Sequence, residues 1–192
     1  MTLLEKIAQL FDGWNETLIW SVLQGHMGYA VADCEAAPTA ALAVLGDICF
    51  LAGEPSVSLA AKAKSREIIP QNESWSDAIE QAFGARVARC QRYAIKKEPG
   101  VFSRTLLKQY VDALPMEYEL RLFDADLCAK SILENWSCDF CANFASSADF
   151  LSRGLGVGVL YQGQLVAGAS SFSIYNGGIE IEIDTKPEFR RR

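Results

Sequence analysis

The sequence predicts an α+β fold in two parts: an N-terminal α/β domain over residues 1–114, then a β-α-α-β-β-β unit over 115–192. Three observations predict it. Helix-period segments alternate with short apolar runs through the first half. Leu114-Pro115 then breaks a helix, and the pattern changes from Met116 onward. Finally, three closely spaced apolar runs between 156 and 185 are separated only by Gln162-Gly163 and Asn176-Gly177-Gly178, which are hairpin turn signals.

The elements follow in order. Apolar residues at 3, 4, 7, 8, 10 and 11 suit an amphipathic helix. Asn15 is placed to cap a second helix to Leu23, which Gly25 and Gly28 end. Residues 29–33 and 40–51 read as strands, the second apolar enough to be buried on both faces. An Ala-rich helix over 55–64 precedes a short strand at 67–69. Asn72 or Ser74 starts a helix that stops near Gly84. The segment 86–95 alternates apolar and charged residues without a settled period, and Ser103 caps a helix to Asp112. In the second part, 118–123 is a strand. Asp124 caps a helix to Asn135, a further helix lies near 146–153, and strands cover 156–161, 165–175 and 179–185. That order implies an antiparallel meander with helices on one face.

Composition narrows the function. Half of the 192 residues are hydrophobic and 22% are charged, which supports a sizeable core and excludes a disordered chain. The net charge of −6 is the wrong sign for a protein that grips phosphate backbones, so nucleic acid is not an expected partner. Glu5 and Lys6 interrupt the N-terminal apolar residues, and no run reaches the ~20 that a membrane span needs. The expectation is a cytoplasmic protein, with its six cysteines as free thiols. Cys138-Asp-Phe-Cys141 has no second closely spaced pair to complete a zinc site, so no metal is expected. His26, the only histidine, has no partner in the sequence and reads as a turn or interface residue.

In the last strand, Ile179, Ile181 and Ile183 face one way and Glu180, Glu182 and Asp184 the other. It runs into Lys186-Pro-Glu-Phe-Arg-Arg-Arg. A strand ending in this way resembles the approach to the acetyl-CoA site of the GNAT superfamily of N-acetyltransferases. There the strand enters a loop patterned Arg/Gln-x-x-Gly-x-Gly/Ala that opens a helix. Arg190 matches the first position, with Arg191 and Arg192 next. The preceding order of strand, two helices and three antiparallel strands is similar to the family's as well. Gln24-Gly-His-Met-Gly28 and Gly46-Asp-Ile-Cys-Phe-Leu-Ala-Gly53 resemble a bacterial subfamily of the zwittermicin-A-resistance type, which carries an extra N-terminal domain.

The resemblance implies acetyl transfer from acetyl-CoA, as co-substrate, to a small-molecule amine. Such a reaction needs a base to take a proton from the ammonium and a donor near the thioester oxygen. Carried over to this chain, Glu182 and then Glu180 are the base candidates, Glu182 first because it is nearer the cofactor end. Ile183, Asp184 and Thr185 supply backbone, and Arg190, Arg191 and Arg192 supply charge. A pyrophosphate is held by backbone N–H groups at a helix start, which arginine side chains do not replace. The glycines of that loop would fall beyond Arg192. A chain of this length is therefore expected to hold the cofactor poorly or not at all, as a fragment or a shortened relative. Two other readings remain open: a ligand-binding or regulatory module, and an interaction protein whose Ile-rich 179–185 edge pairs with a second copy.

Overall fold

A computed structural model describes residues 1–93 and 98–191. The first half builds a four-stranded sheet from β1 (Tyr29–Ala32), β2 (Ala40–Leu45), β3 (Ile48–Gly53) and β4 (Glu67–Pro70), in that order. The first three strands are antiparallel, and β4 runs parallel to β3. The single strand expected over 40–51 is in fact a hairpin. Leu45 pairs with Ile48 across the turn at Gly46-Asp47, because two residues of this type reverse the chain without loss of register. Both hairpin strands are buried on both faces, which is why the sequence read as one apolar run.

Helices cover each face of this sheet. α1 (Leu3–Leu10) starts with a capping box between Thr2 and Glu5. α2 (Thr17–Leu23) follows Glu16 with no side-chain cap, so Asn15 does not serve as expected. Their apolar stripes (Ile7, Phe11, Leu18, Ile19, Val22) share a cluster with Ala41, Ala43, Leu45, Phe50 and Ala52. On the opposite face α3 (Val57–Ala60) and α4 (Glu73–Phe83) bury Leu59, Trp75, Ala78 and Ile79 against Leu42, Val44, Cys49 and Leu51. Asn72 caps α4, and the fully buried Trp75 donates its indole N–H to the Gly53 carbonyl at 2.9 Å. Past the 3₁₀ turn Gly84–Arg86, residues 87–93 form no regular element, and the end of the alternation read over 86–95 lies outside the described residues. α5 (Arg104–Asp112) is capped by Ser103.

The second half is the antiparallel meander β5 (Tyr118–Leu122), β6 (Gly156–Tyr161), β7 (Gln164–Tyr175) and β8 (Gly178–Thr185). Asp124 caps α6 (Ala125–Ser131) and Ser146 caps α7 (Ser147–Arg153). α6 ends four residues earlier than the sequence suggested: the Ser137 hydroxyl donates to the Ser131 carbonyl at 2.7 Å, folding the chain into the 3₁₀ turn Cys138–Phe140. Phe123, Leu127, Phe140, Phe144 and Phe150 pack between these helices and the sheet. They join the same cluster as the α1 and α2 side chains, so residues of both halves share one core.

The Gln24–Gly28 motif sits where the halves meet. Gln24 accepts the Asn176 backbone N–H at 2.6 Å, and a His26 ring nitrogen lies 2.8 Å from the Asn176 side chain. Met27 is buried, and Gly28 has φ +72° with its backbone against the Val44 carbonyl. His26, read from the sequence as a turn or interface residue without a partner, meets Asn176 of the second half here. Trp20 of α2 meets Tyr175 edge-on at 5.5 Å.

Register fixes which way β8 faces. Glu182 lies opposite Ser170, whose hydroxyl donates to the Phe140 carbonyl at 2.8 Å, so the acidic row is turned towards the helices. Ile181 and Ile183 point the other way, 57% and 70% exposed. Cross-strand pairing continues their face through Ala169 and Val157 to Leu122, itself 65% exposed. The ordinary arrangement of apolar-in and acid-out is inverted.

Candidate functional site

The site is built on the helix-side face of β8. The β-bulge at Phe172 shifts the β7 register so that Glu180 lies opposite Ser173, while Glu182 stays opposite Ser170. Glu180, half-buried, accepts a hydrogen bond from the Thr17 hydroxyl at the start of α2. Glu182 is also half-buried and faces Asp139 from the 3₁₀ turn. Burial first, then the charges of Asp139 and Asp184, push its carboxyl above the ordinary 4.5. A carboxylate held this way takes up a proton more readily near neutral pH, as a base working on an ammonium requires.

Asp184 is occupied differently. Arg190 bonds its carboxylate at 2.9 Å and the Thr185 carbonyl at 2.8 Å, after the 3₁₀ turn Pro187–Phe189 folds the tail back on the strand end. Lys186 reaches across to Glu134 at 3.0 Å, and this partner with the Trp136 indole holds the Glu134 carboxyl below its usual value. A cavity of about 300 Å³ opens beside them, lined by Lys130, Glu134, Trp136, Gly163, Gln164 and Leu165.

The structure therefore brings Glu180, Glu182 and Asp184 to one face and leaves Ile183 on the other. Ile183–Thr185 lie on β8, the outermost strand of the second sheet. Arg190 contacts the strand end, Arg191 is exposed with φ 62°, and Arg192 lies outside the described residues. Asp139, Thr17 and Ser170 were not legible as site residues. Thr17 is 163 positions from the glutamate it bonds, and Asp139 is hidden inside a Cys-x-x-Cys spacing.

That spacing is misleading in another respect. Cys141 pairs with Cys128 of α6, with the two sulfurs 3.0 Å apart, whereas Cys138 donates to the Asn135 carbonyl. Burial pushes the Cys128 and Cys141 thiols well up, so both are held as neutral core groups. No helix among the described residues is long and apolar enough to cross a membrane.

A family model, GNAT acetyltransferase, matches residues 8–192, and the chain belongs to that family. A GCN5-related N-acetyltransferase-like protein from Streptococcus suis superposes with a TM-score of 0.92 at 39% identity; the match covers 98% of this chain and 78% of that one. No curated protein matches the sequence.

Proposed function

We propose that the protein is an acetyl-CoA-dependent N-acetyltransferase acting on a small-molecule amine, with Glu182 as the base. The observation that carries this reading is a half-buried carboxylate of raised proton affinity, held on the helix-side face of β8 by the packing of Cys138–Phe140. Asp139 contributes by keeping negative charge close to Glu182, and Ser170 by anchoring the 3₁₀ turn that carries Asp139.

When bound, acetyl-CoA supplies the acetyl group as an activated thioester. The residues that suit its acyl-pantetheine end are the backbone groups of Ile183–Thr185 on the outermost strand. Arg190 is already engaged by Asp184 and the Thr185 carbonyl, so its charge for a phosphate is largely offset. Glu182 takes the proton from the acceptor ammonium and presents a neutral amine. The two Gly-containing motifs, which build the α2 interface and the β2–β3 hairpin, support the likeness to the zwittermicin-A-resistance type.

The test uses the full-length product of the gene, assayed for CoA thiol release with a panel of amines. Activity is expected, and Glu182→Gln is expected to lower kcat/KM by about 10²-fold or more. Absence of thiol release with every amine, or an unchanged Glu182→Gln enzyme, refutes the reading.

A further inference from the structure

Three of the six cysteines gather around the turn that carries Asp139, and acetyl transfer uses none of them. Cys128, on α6, is fully buried, and Cys141, directly after the 3₁₀ turn Cys138–Phe140, is only 4% exposed. Their sulfurs are 3.0 Å apart, within about 1 Å of the roughly 2.05 Å of a disulfide bond. Cys138 opens the same turn, is only half-buried, and donates to the Asn135 carbonyl. The Cys141 backbone N–H closes the turn on the Cys138 carbonyl. Positions i and i+3 of such a turn eclipse, which sets Cys138 on the same side as Cys141.

We infer that Cys128 and Cys141 form a reversible disulfide, loaded through Cys138 by exchange with a low-molecular-weight disulfide. Neither buried sulfur is open to an outside oxidant, so the half-buried Cys138 is the point of entry. Cys138, as thiolate, attacks one sulfur of the small disulfide; a mixed disulfide forms and one small thiol leaves with the Cys138 proton. Cys141 then attacks the Cys138 sulfur, and the second small thiol leaves with the Cys141 proton. Cys128 attacks the Cys141 sulfur last, its proton passing to Cys138, which returns as a thiol. Two protein thiols are oxidised and one small disulfide is reduced to two thiols, with two electrons and two protons transferred. Burial, and then the charge of Asp139, hold the Cys138 thiol above its ordinary value, so loading takes minutes to hours. The bond fastens the turn to α6. Phe140 of that turn accepts the Ser170 hydroxyl and Asp139 faces Glu182, so oxidation secures the support of the acidic face of β8.

The test needs neither an amine nor acetyl-CoA, so its outcome leaves the acetyltransferase reading untouched. The reduced full-length protein is incubated with oxidised glutathione, its remaining thiols are alkylated, and its peptides are mapped by mass. A Cys128–Cys141 cross-link is expected, with the alkyl label on Cys138 and reversal by dithiothreitol. Cys138→Ser is expected to slow the cross-link about tenfold or more. Cys34→Ser and Cys90→Ser, both at exposed positions, should leave its rate unchanged. Cys128→Ala should strand the bond between Cys138 and Cys141. In unfolding urea the selectivity should vanish, because pairing then follows chain spacing alone. Closing a loop of 13 positions should raise Tm by about 5 °C or more. Glutathione on Cys138 with Cys128 and Cys141 still free, a rate unchanged by Cys138→Ser, or a Tm lowered by oxidation overturns the inference.

Discussion

An alanine at Gly28 would carry a Cβ 2.2 Å from the Val44 carbonyl oxygen and 3.0 Å from a methyl of Val22. The first contact is with backbone in the middle of β2, paired on both sides, and cannot be relieved by a rotamer change. Gly28 also has φ +72°, which costs a side-chain-bearing residue roughly 1–2 kcal/mol. Overpacking against a fixed strand adds about 1–3 kcal/mol. The sum, about 2–5 kcal/mol, is a large share of the roughly 5–15 kcal/mol that holds a domain folded. Urea unfolding followed by tryptophan fluorescence reads it directly. With an m-value of roughly 2 kcal/mol/M, the midpoint should fall by about 1–2.5 M. Gly163→Ala is the control: φ is +79° there and nothing lies within 4 Å, so only the backbone share should appear. Equal shifts for the two variants would mean that the strand yields freely and that the collision argument is wrong.

Other consequences are equally open to measurement. Glu182 has a folded-state pKa raised above 4.5, so the folded chain binds the proton more tightly and this group's contribution to stability falls as pH rises through that window. Glu182→Gln should therefore raise Tm at pH 7, with the gain shrinking towards pH 4.5; a lower Tm at pH 7 would contradict the burial argument. Asp33 behaves oppositely: burial acts against it, but bonds from Ala40, Thr39 and Cys34 outweigh that and hold its pKa at about 2. Its stabilisation is present above 3.8 and is lost as pH falls towards 2, and Asp33→Ala should lower Tm at pH 7 by about 2–4 °C. Trp75→Phe removes the bond to Gly53 and leaves a void under α4, which should cost about 2–4 kcal/mol in chemical denaturation.

Local chemistry explains what the sequence revealed. Caps at Asn72, Ser103, Asp124 and Ser146 and turns at Gln162-Gly163 and Asn176-Gly177 act within a few residues, so they are visible in the string. The β2–β3 turn was hidden because both strands are buried on both faces and left no polar alternation to interrupt. The site was half visible. That Glu180 and Glu182 share a face follows from the period of a strand, and their candidacy as bases came only from the family resemblance; their surroundings come from Thr17, Asp139 and Ser170, which only folding brings together. The direction of β8 was not legible at all. An alternating strand specifies two faces, and the choice between them is made by the helices that pack against it.

The inverted β8 carries a consequence for how copies of the chain meet. Two such strands aligned antiparallel with matching faces must set even-numbered residues against even-numbered ones, so that Glu182 meets Glu182 or Glu180 of its twin. Like charges directly opposite one another are unfavourable. At neutral pH this edge is therefore self-repellent, despite the isoleucines on its outer side. Acid removes the guard, and Glu182 is protonated before a carboxylate of ordinary affinity would be. Sedimentation at pH 7 should show separate chains, and at pH 4.5 pairs of chains joined through β8; the same three carboxylates that shape a binding face then also act as a gatekeeper against self-pairing.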